Sequence, residues 1–353
     1  PLPPLNTRVK AFFSDRQAGC MSEYRHQPLT DQWILIAGNR ETRPSDYVQH
    51  DSTLANHNCP FCVGNESETP KSILTFSDSE SSPWCVRVFE NKYPALTSTP
   101  NEPRQSLGPY ESFHGFGRHE LIVLSPRHVE SFSELSPAER RLSLLAFQKR
   151  LIEAYEDPSI QHAVVFQNCR LDAGASIQHV HCQLMGTTLV PPQVEHQAQR
   201  QSDYRRQQGR SLLHELVATE QDSGQRTVAE TDHLTAFCPF ASRQPYEVWI
   251  APKSPDETDS FFDLSDSLLD ELSELIQQAV VRLENVLPQV AYNTIVHLPP
   301  KTADWREQRG TWYTEIFPRI NKTAGFEWAT GCMINQVPPE VAAHRLRENS
   351  PSS

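Results

Sequence analysis

An α+β fold built from two similar halves is the class that this chain of 353 residues predicts. Three observations carry it. Short apolar runs at 32–37, 116–125 and 161–168 recur along the chain and read as strands. Two long stretches, 135–155 and 265–287, carry apolar residues at helical spacing. The order of strands, long helix, then strands ending near His or Glu occurs twice, which reads as a divergent internal duplication. Each half is then expected to hold an antiparallel sheet with helices packed on it. The expected divisions are a disordered extension at 1–23, a first half at 24–190 and a second at 191–353, with an extended linker around 190–230.

Residues 1–20 lack the apolar core of roughly 7–15 residues and the cleavage pattern of a signal peptide. They precede Met21, which is expected to be the natural start unless the segment is a disordered extension. From Tyr24 a turn leads into the strand at 32–37, whose end presents Arg40 and Arg43. Planar guanidinium groups suit phosphate and ribose oxygens, although two arginines in a solvated loop would look the same. Cys59-Pro-Phe-Cys62 sets two thiols on a tight turn, as half of a tetrahedral zinc site does. A redox pair or two buried thiols would show the same spacing, and no second Cys-x-x-Cys follows. After Gly64-Asn65 and a Ser-rich loop, a strand from Trp84 ends at Asn91, which as a plain turn residue needs no function. The strand at 116–125 leads to His128 through Leu124-Ser-Pro-Arg. Ser136-Pro137 with Glu139 behind it is a cap and first turn for the helix at 135–155. The strand that follows ends on Asn168.

The centre of the sequence is Gly174-Ala-Ser-Ile-Gln-His-Val-His-Cys-Gln183. Gly174, Ala175 and Ser176 read as a small-residue turn, and 177–185 as a strand. Residues two apart on a strand share a face, so Ile177, His179, His181 and Gln183 would point one way and Val180, Cys182 and Leu184 the other. Two imidazoles and a carboxamide would converge on one spot. Beyond it, 191–220 reads as polar helix, 231–253 as two apolar segments, and 293–299 and 312–318 as strands around the second long helix.

Composition excludes several classes. A net charge of −12 with no basic run argues against a nucleic-acid partner. No apolar stretch approaches the roughly 20 residues that span a bilayer. Eight scattered cysteines do not form a secreted disulfide framework, so a reducing cytoplasm is expected.

The pattern Gly-Ala-Ser-x-x-His-x-His-x-Gln resembles the signature of the galactose-1-phosphate uridylyltransferase family, the transferase branch of the histidine-triad superfamily. The hydrolase branch has a third His where Gln183 stands, so a hydrolase is disfavoured. The resemblance spans nearly all of 24–348 and implies histidine-triad-like halves. It makes His181 the nucleophile and Gln183 a phosphoryl donor, and it assigns one structural zinc to Cys59, Cys62, His128 and His179. Substrate contacts fall on Arg40, Arg43, Asn65, Asn91, Asn168, Gly174, Ala175, Ser176, Ile177 and Gln183. An imidazole titrates near neutrality, so attack on an α-phosphorus would give a nucleotidyl-imidazole and divide one exchange into two steps. Several relatives hold a further metal in the second half on one carboxylate and three histidines. Here His297 is kept, but Tyr313-Thr-Glu315 replaces the His-x-His, and Gln197 with Glu195 nearby stands at the carboxylate position, so a second metal is not expected. This half also resembles the ADP-glucose phosphorylase branch, placing Phe326 and Glu327 at sugar-nucleotide contacts.

The implied activity exchanges a nucleoside monophosphate between a nucleotide sugar and a sugar 1-phosphate, foremost UDP-glucose and galactose 1-phosphate. ADP-glucose phosphorolysis, with phosphate as acceptor, is the alternative within the class. A zinc-stabilised nucleotide-binding module without turnover is the alternative of another class. A homodimer is compatible with the resemblance.

Overall fold

The computed structural model describes residues 22–38, 59–77, 83–98, 105–254, 260–302 and 312–349. Arg40, Arg43 and most of the expected extension at 1–23 lie outside them. The chain enters on a hairpin, β1 (Glu23–Gln27) paired with β2 (Gln32–Ile36), where a turn had been expected before residue 32. β1 is polar and shows no apolar alternation. It is held by its pairing and by the Arg25 guanidinium, which bonds Glu340 at 2.9 Å and the Phe240 carbonyl at 3.0 Å.

The first half continues with β3 (Ser72–Phe76), β4 (Val86–Glu90), a small hairpin of β5 (Gln105–Leu107) and β6 (Tyr110–Ser112), and β7 (Gly117–Val123). Helix α1 (Pro137–Glu156) follows, then β8 (His162–Cys169) and β9 (His181–Thr187). The start of α1 is the expected one: the Ser136 side chain accepts from the Glu139 N–H, Glu139 accepts from the Ser136 N–H, and Pro137 needs no donor there.

The linker around 190–230, read as polar helix over 191–220, consists of two helices, α2 (Pro192–Gln208) and α3 (Leu212–Ser223). Gly209 ends α2 in the left-handed region at φ 76°, and the Ser211 side chain caps α3. The second half then runs β10 (Thr227–Glu230), β11 (Leu234–Phe237), β12 (Val248–Pro252), α4 (Asp266–Val286), β13 (Tyr292–His297) and β14 (Tyr313–Pro318). It closes with α5 (Gly325–Thr330), β15 (Met333–Asn335), which lies parallel to β2, and α6 (Pro339–Glu348).

The fold is α+β with two histidine-triad-like halves, and their sheets are continuous. Ten antiparallel strands run in the order β10-β11-β12-β14-β13-β8-β9-β7-β4-β3. Read outward from the central β8–β13 pair, the two halves have the same topology: β8, β9, β7, β4, β3 on one side and β13, β14, β12, β11, β10 on the other. Both long helices pack on one face of the sheet, over Ile122, Val165, Leu184, Ile250, Val296 and Ile316. Period-two alternation therefore sends His181, Gln183, His297 and Glu315 to the opposite face.

β7 approaches β9 closely at Gly117, where a Cβ would stand 2.2 Å from the Gly186 carbonyl oxygen and 2.9 Å from Leu96. Gly117→Ala must shift β7 against β9. It is expected to lower stability by about 1–3 kcal/mol, the usual cost of overpacking, read as a drop in melting temperature.

Candidate active site

His179 precedes β9 instead of lying on it. Residues 174–180 form a loop in which Gly174, at φ 97°, takes a left-handed conformation open to glycine. The loop is sewn to its surroundings by hydrogen bonds from the Val180 N–H to the Val129 carbonyl (2.7 Å) and from the Leu124 N–H to the Val180 carbonyl (3.2 Å). His179 can then turn toward the cysteines while His181 starts the paired strand.

Four ligand atoms converge beside this loop. The sulfur and ring nitrogen atoms of Cys59, Cys62, His128 and His179 all lie within 4.8 Å of one another, and no other such cluster of three or more occurs among the described residues. Cys59 Sγ lies 3.5 Å from His179 Nδ1, and Cys62 Sγ lies 3.4 Å from His128 Nδ1 and 3.6 Å from His179 Nδ1. Tetrahedral zinc, with bonds of about 2.3 Å to sulfur and about 2.0–2.1 Å to nitrogen, separates neighbouring ligands by about 3.5 Å. The group is compatible with one such ion. His179 Nε2 donates to the Ser125 carbonyl at 2.8 Å, which leaves Nδ1 as the lone-pair atom facing the sulfurs. The turn is fixed by the Cys62 N–H bonding the Cys59 carbonyl and the Val63 N–H bonding the Pro126 carbonyl. The His128 loop is anchored on α1, where Glu139 accepts from Ser125 Oγ (2.6 Å) and from Arg127 (2.6 Å).

His181 is buried, with its ring 5.2 Å from that of Phe61. Its Nδ1 donates to the His179 carbonyl at 2.6 Å, so Nε2 carries the lone pair. Burial holds the His179 imidazole down to about 4 and lowers that of His181. His181 and Gln183 line a cleft of about 660 Å³ with Phe61, Asn65, Asn91, Ser176 and Ile177. Asn65 also braces the cysteine turn, donating to the Cys59 carbonyl at 2.8 Å. The wall carrying Glu68, Thr69 and Pro70 is braced by Trp84 Nε1 donating to Glu66 (2.6 Å) and Arg87 donating to Thr69 (2.9 Å).

The expected contacts divide. Asn168 is held by Asn293 of the second half, whose Nδ2 donates to Asn168 Oδ1 at 2.9 Å and to the Ala173 carbonyl at 3.0 Å. Asn293 is a residue that sequence reasoning missed, since only the β8–β13 register brings it there. Ala175 lies buried in the turn, its N–H bonded to the Arg170 carbonyl. Phe326 and Glu327 sit on the short, exposed α5 and are not among the residues lining this cleft. Glu327 caps its own helix by accepting from the Ala324 N–H at 3.1 Å.

In the second half, the residues do not fit a metal. Glu315 is bonded to the Arg243 guanidinium and accepts from His297 Nε2 at 2.7 Å. The ring of Tyr313 stacks on that of His297 at 4.3 Å. Burial and the Arg243 charge push His297 down to about 3, so it stays neutral. A guanidinium therefore satisfies the carboxylate that an ion would need.

With this geometry in place, comparison with known proteins decides the family. The galactose-1-phosphate uridyl transferase N-terminal domain matches residues 12–191, and a domain of unknown function (DUF4921) matches 124–349. The ADP-glucose phosphorylase of Arabidopsis thaliana is 31% identical over 334 residues, covering 93% of each chain. The chain belongs to the galactose-1-phosphate uridylyltransferase family. It is accordingly an enzyme of that nucleotidyltransferase and phosphorylase type. The galactose-1-phosphate uridylyltransferase of Thermotoga maritima is 25% identical over 336 residues, covering 93% of this chain and 98% of its own. The crystal structure of the Arabidopsis ADP-glucose phosphorylase with bound ADP-glucose aligns with a TM-score of 0.79 at 30% identity, over 93% of this chain and 99% of that one.

Elemental analysis of the purified chain is expected to find about one zinc per monomer, and not two. Cys59→Ser should lose the metal and lower the melting temperature, because loss of a structural zinc withdraws several kcal/mol of folding free energy. Full metal content in Cys59→Ser, or a second equivalent in wild type, would contradict the assignment.

Proposed function

We propose that the chain transfers a nucleoside monophosphate from a nucleotide sugar to a phosphorylated acceptor through a covalent bond to His181 Nε2. One observation carries this reading: His181 lines the cleft with Nδ1 committed to the His179 carbonyl, so its lone pair is on Nε2. In the first step the Nε2–P bond forms and the P–O bond to the sugar 1-phosphate breaks, the latter leaving as the departing group. In the second step an acceptor phosphate oxygen attacks the same phosphorus and restores neutral His181. The Nδ1–H bond to the carbonyl stabilises positive charge on the substituted ring. Gln183 donates to a phosphoryl oxygen and has no proton to exchange, so it offers no general base to activate water.

Zinc on Cys59, Cys62, His128 and His179 would be structural, since four protein ligands leave no open position for substrate. Its residues hold the loop that aims His181. Asn65, Asn91, Asn168 and the 174–177 turn are assigned to the nucleotide and phosphates, with Arg40 and Arg43 proposed for the same ligand. None of the seven described cysteines is in a disulfide, which supports the proposed reducing cytoplasmic setting.

Uridylyl exchange between UDP-glucose and a hexose 1-phosphate is the reading that the family match supports. A second reading, adenylyl transfer from ADP-glucose to phosphate, is favoured by the 31% identity to a relative of that name. Incubation with UDP-glucose and with ADP-glucose, each with galactose 1-phosphate and with phosphate, separates them by which pair yields product. Initial-rate plots for the productive pair should be parallel. His181→Gly should lower turnover by more than about 10³-fold with zinc content and melting temperature nearly unchanged. His179→Gly should lower stability and activity together. Wild-type rates in His181→Gly would end the proposal.

A further inference from the structure

Gln183 is a useful donor only if its carboxamide is held with the NH₂ toward the phosphates, and a free Gln side chain has no such preference. The β-sheet supplies a group that removes the ambiguity. His119 on β7 reaches diagonally across to β9, its Nε2 lying 2.8 Å from Gln183 Oε1. The other ring nitrogen faces a donor whose direction is beyond dispute: the Ala95 backbone N–H bonds His119 Nδ1 at 3.0 Å. A nitrogen that accepts carries no proton, so the neutral ring bears its hydrogen on Nε2. That hydrogen can go only to an acceptor, which makes the Gln183 atom facing it oxygen. The Gln183 nitrogen must then point away from His119.

Asn91 is oriented in a complementary way. Its Oδ1 accepts from the Tyr93 N–H at 2.9 Å, which puts Nδ2 3.1 Å from His119 Nε2 as a second donor. With Nε2–H aimed at Gln183 this contact is donor to donor and makes no bond, and Asn91 lines the same cleft as Gln183. The chain of constraint runs from one backbone N–H through an imidazole tautomer to the Gln183 carboxamide.

We infer that His119 is a positioning residue for nucleotidyl transfer, acting through its Nε2–H on Gln183 and without contact with the substrate. This deepens the proposed function and rests on it. His119→Leu removes the donor and is expected to lower kcat about 10- to 100-fold, the usual range for a partner that orients a site residue. The melting temperature and zinc content should not move. His119→Gln, which can present an amide N–H near the place of Nε2, should recover most of the loss. Because His119 works through Gln183, the double variant His119→Leu/Gln183→Ala should be slower than Gln183→Ala by less than about threefold, whereas a merely structural effect would multiply. Full activity in His119→Leu, or multiplication of the two losses, would overturn the inference. A readout independent of turnover is ¹⁵N NMR of histidine-labelled enzyme, in which His119 should show a protonated Nε2 and a bare Nδ1. The opposite tautomer would overturn the inference even if wild type turned over neither nucleotide sugar, a result that would by itself defeat only the proposed function.

Discussion

The structure depends on one convergence: Cys59, Cys62, His128 and His179 meet at ligand distance where three irregular segments come together. None of those segments is held by regular structure of its own. The cysteine turn is bonded to the loop at Pro126, that loop is braced on the capped start of α1, and the 174–180 loop is bonded to Leu124 and Val129. A metal bound by all four would fasten them at a single point. The consequence falls two residues later, because His179 lends its carbonyl to His181 and thereby selects which nitrogen of the proposed nucleophile is bare. Scaffold and chemistry are linked through one peptide.

The halves of the duplicated sheet have diverged around the same topology. On β9, position 181 carries an imidazole and 183 a carboxamide; on β14, the corresponding face carries Tyr313 and Glu315. In the first half, polar atoms are left facing a cleft. In the second they are consumed by one another: Glu315 by Arg243 and His297, and Glu247 by the Arg243 N–H at 2.6 Å and Trp249 Nε1 at 3.0 Å. A self-satisfied buried network binds little else, and the proposed site accordingly lies in the first half. The second half still contributes through Asn293, whose carboxamide reaches across the central strand pair to Asn168 and the turn before Gly174.

Much of this could be read from the chain, for local reasons. The Ser136 to Glu139 capping box, the strands at β2, β7 and β8 and the thiol turn are short-range signals, and they appear where expected. What escaped is lateral. β1 has no apolar alternation and is fixed by partners more than 200 residues away. His119 looked like one more residue of a buried strand, and only the register of β7 on β9 sets it beside Gln183. The 177–185 run was extended too early because period two continues through a loop that hydrogen-bonds without joining the ladder. The joining of two sheets into one rests on β8 and β13, neither of which carries any mark of being an inner edge.

The central claim is that the His179 carbonyl, fixed by the ligand cluster, commits His181 Nδ1 and leaves Nε2 to attack phosphorus. The most direct measurement is ³¹P NMR of the enzyme mixed with nucleotide sugar alone and quenched in alkali, where phosphoramidates persist. The resonance of a nucleotide bonded to Nε2 of His181, absent from His181→Gly, is the predicted result. Linkage through Nδ1, or label on another side chain, would contradict the account.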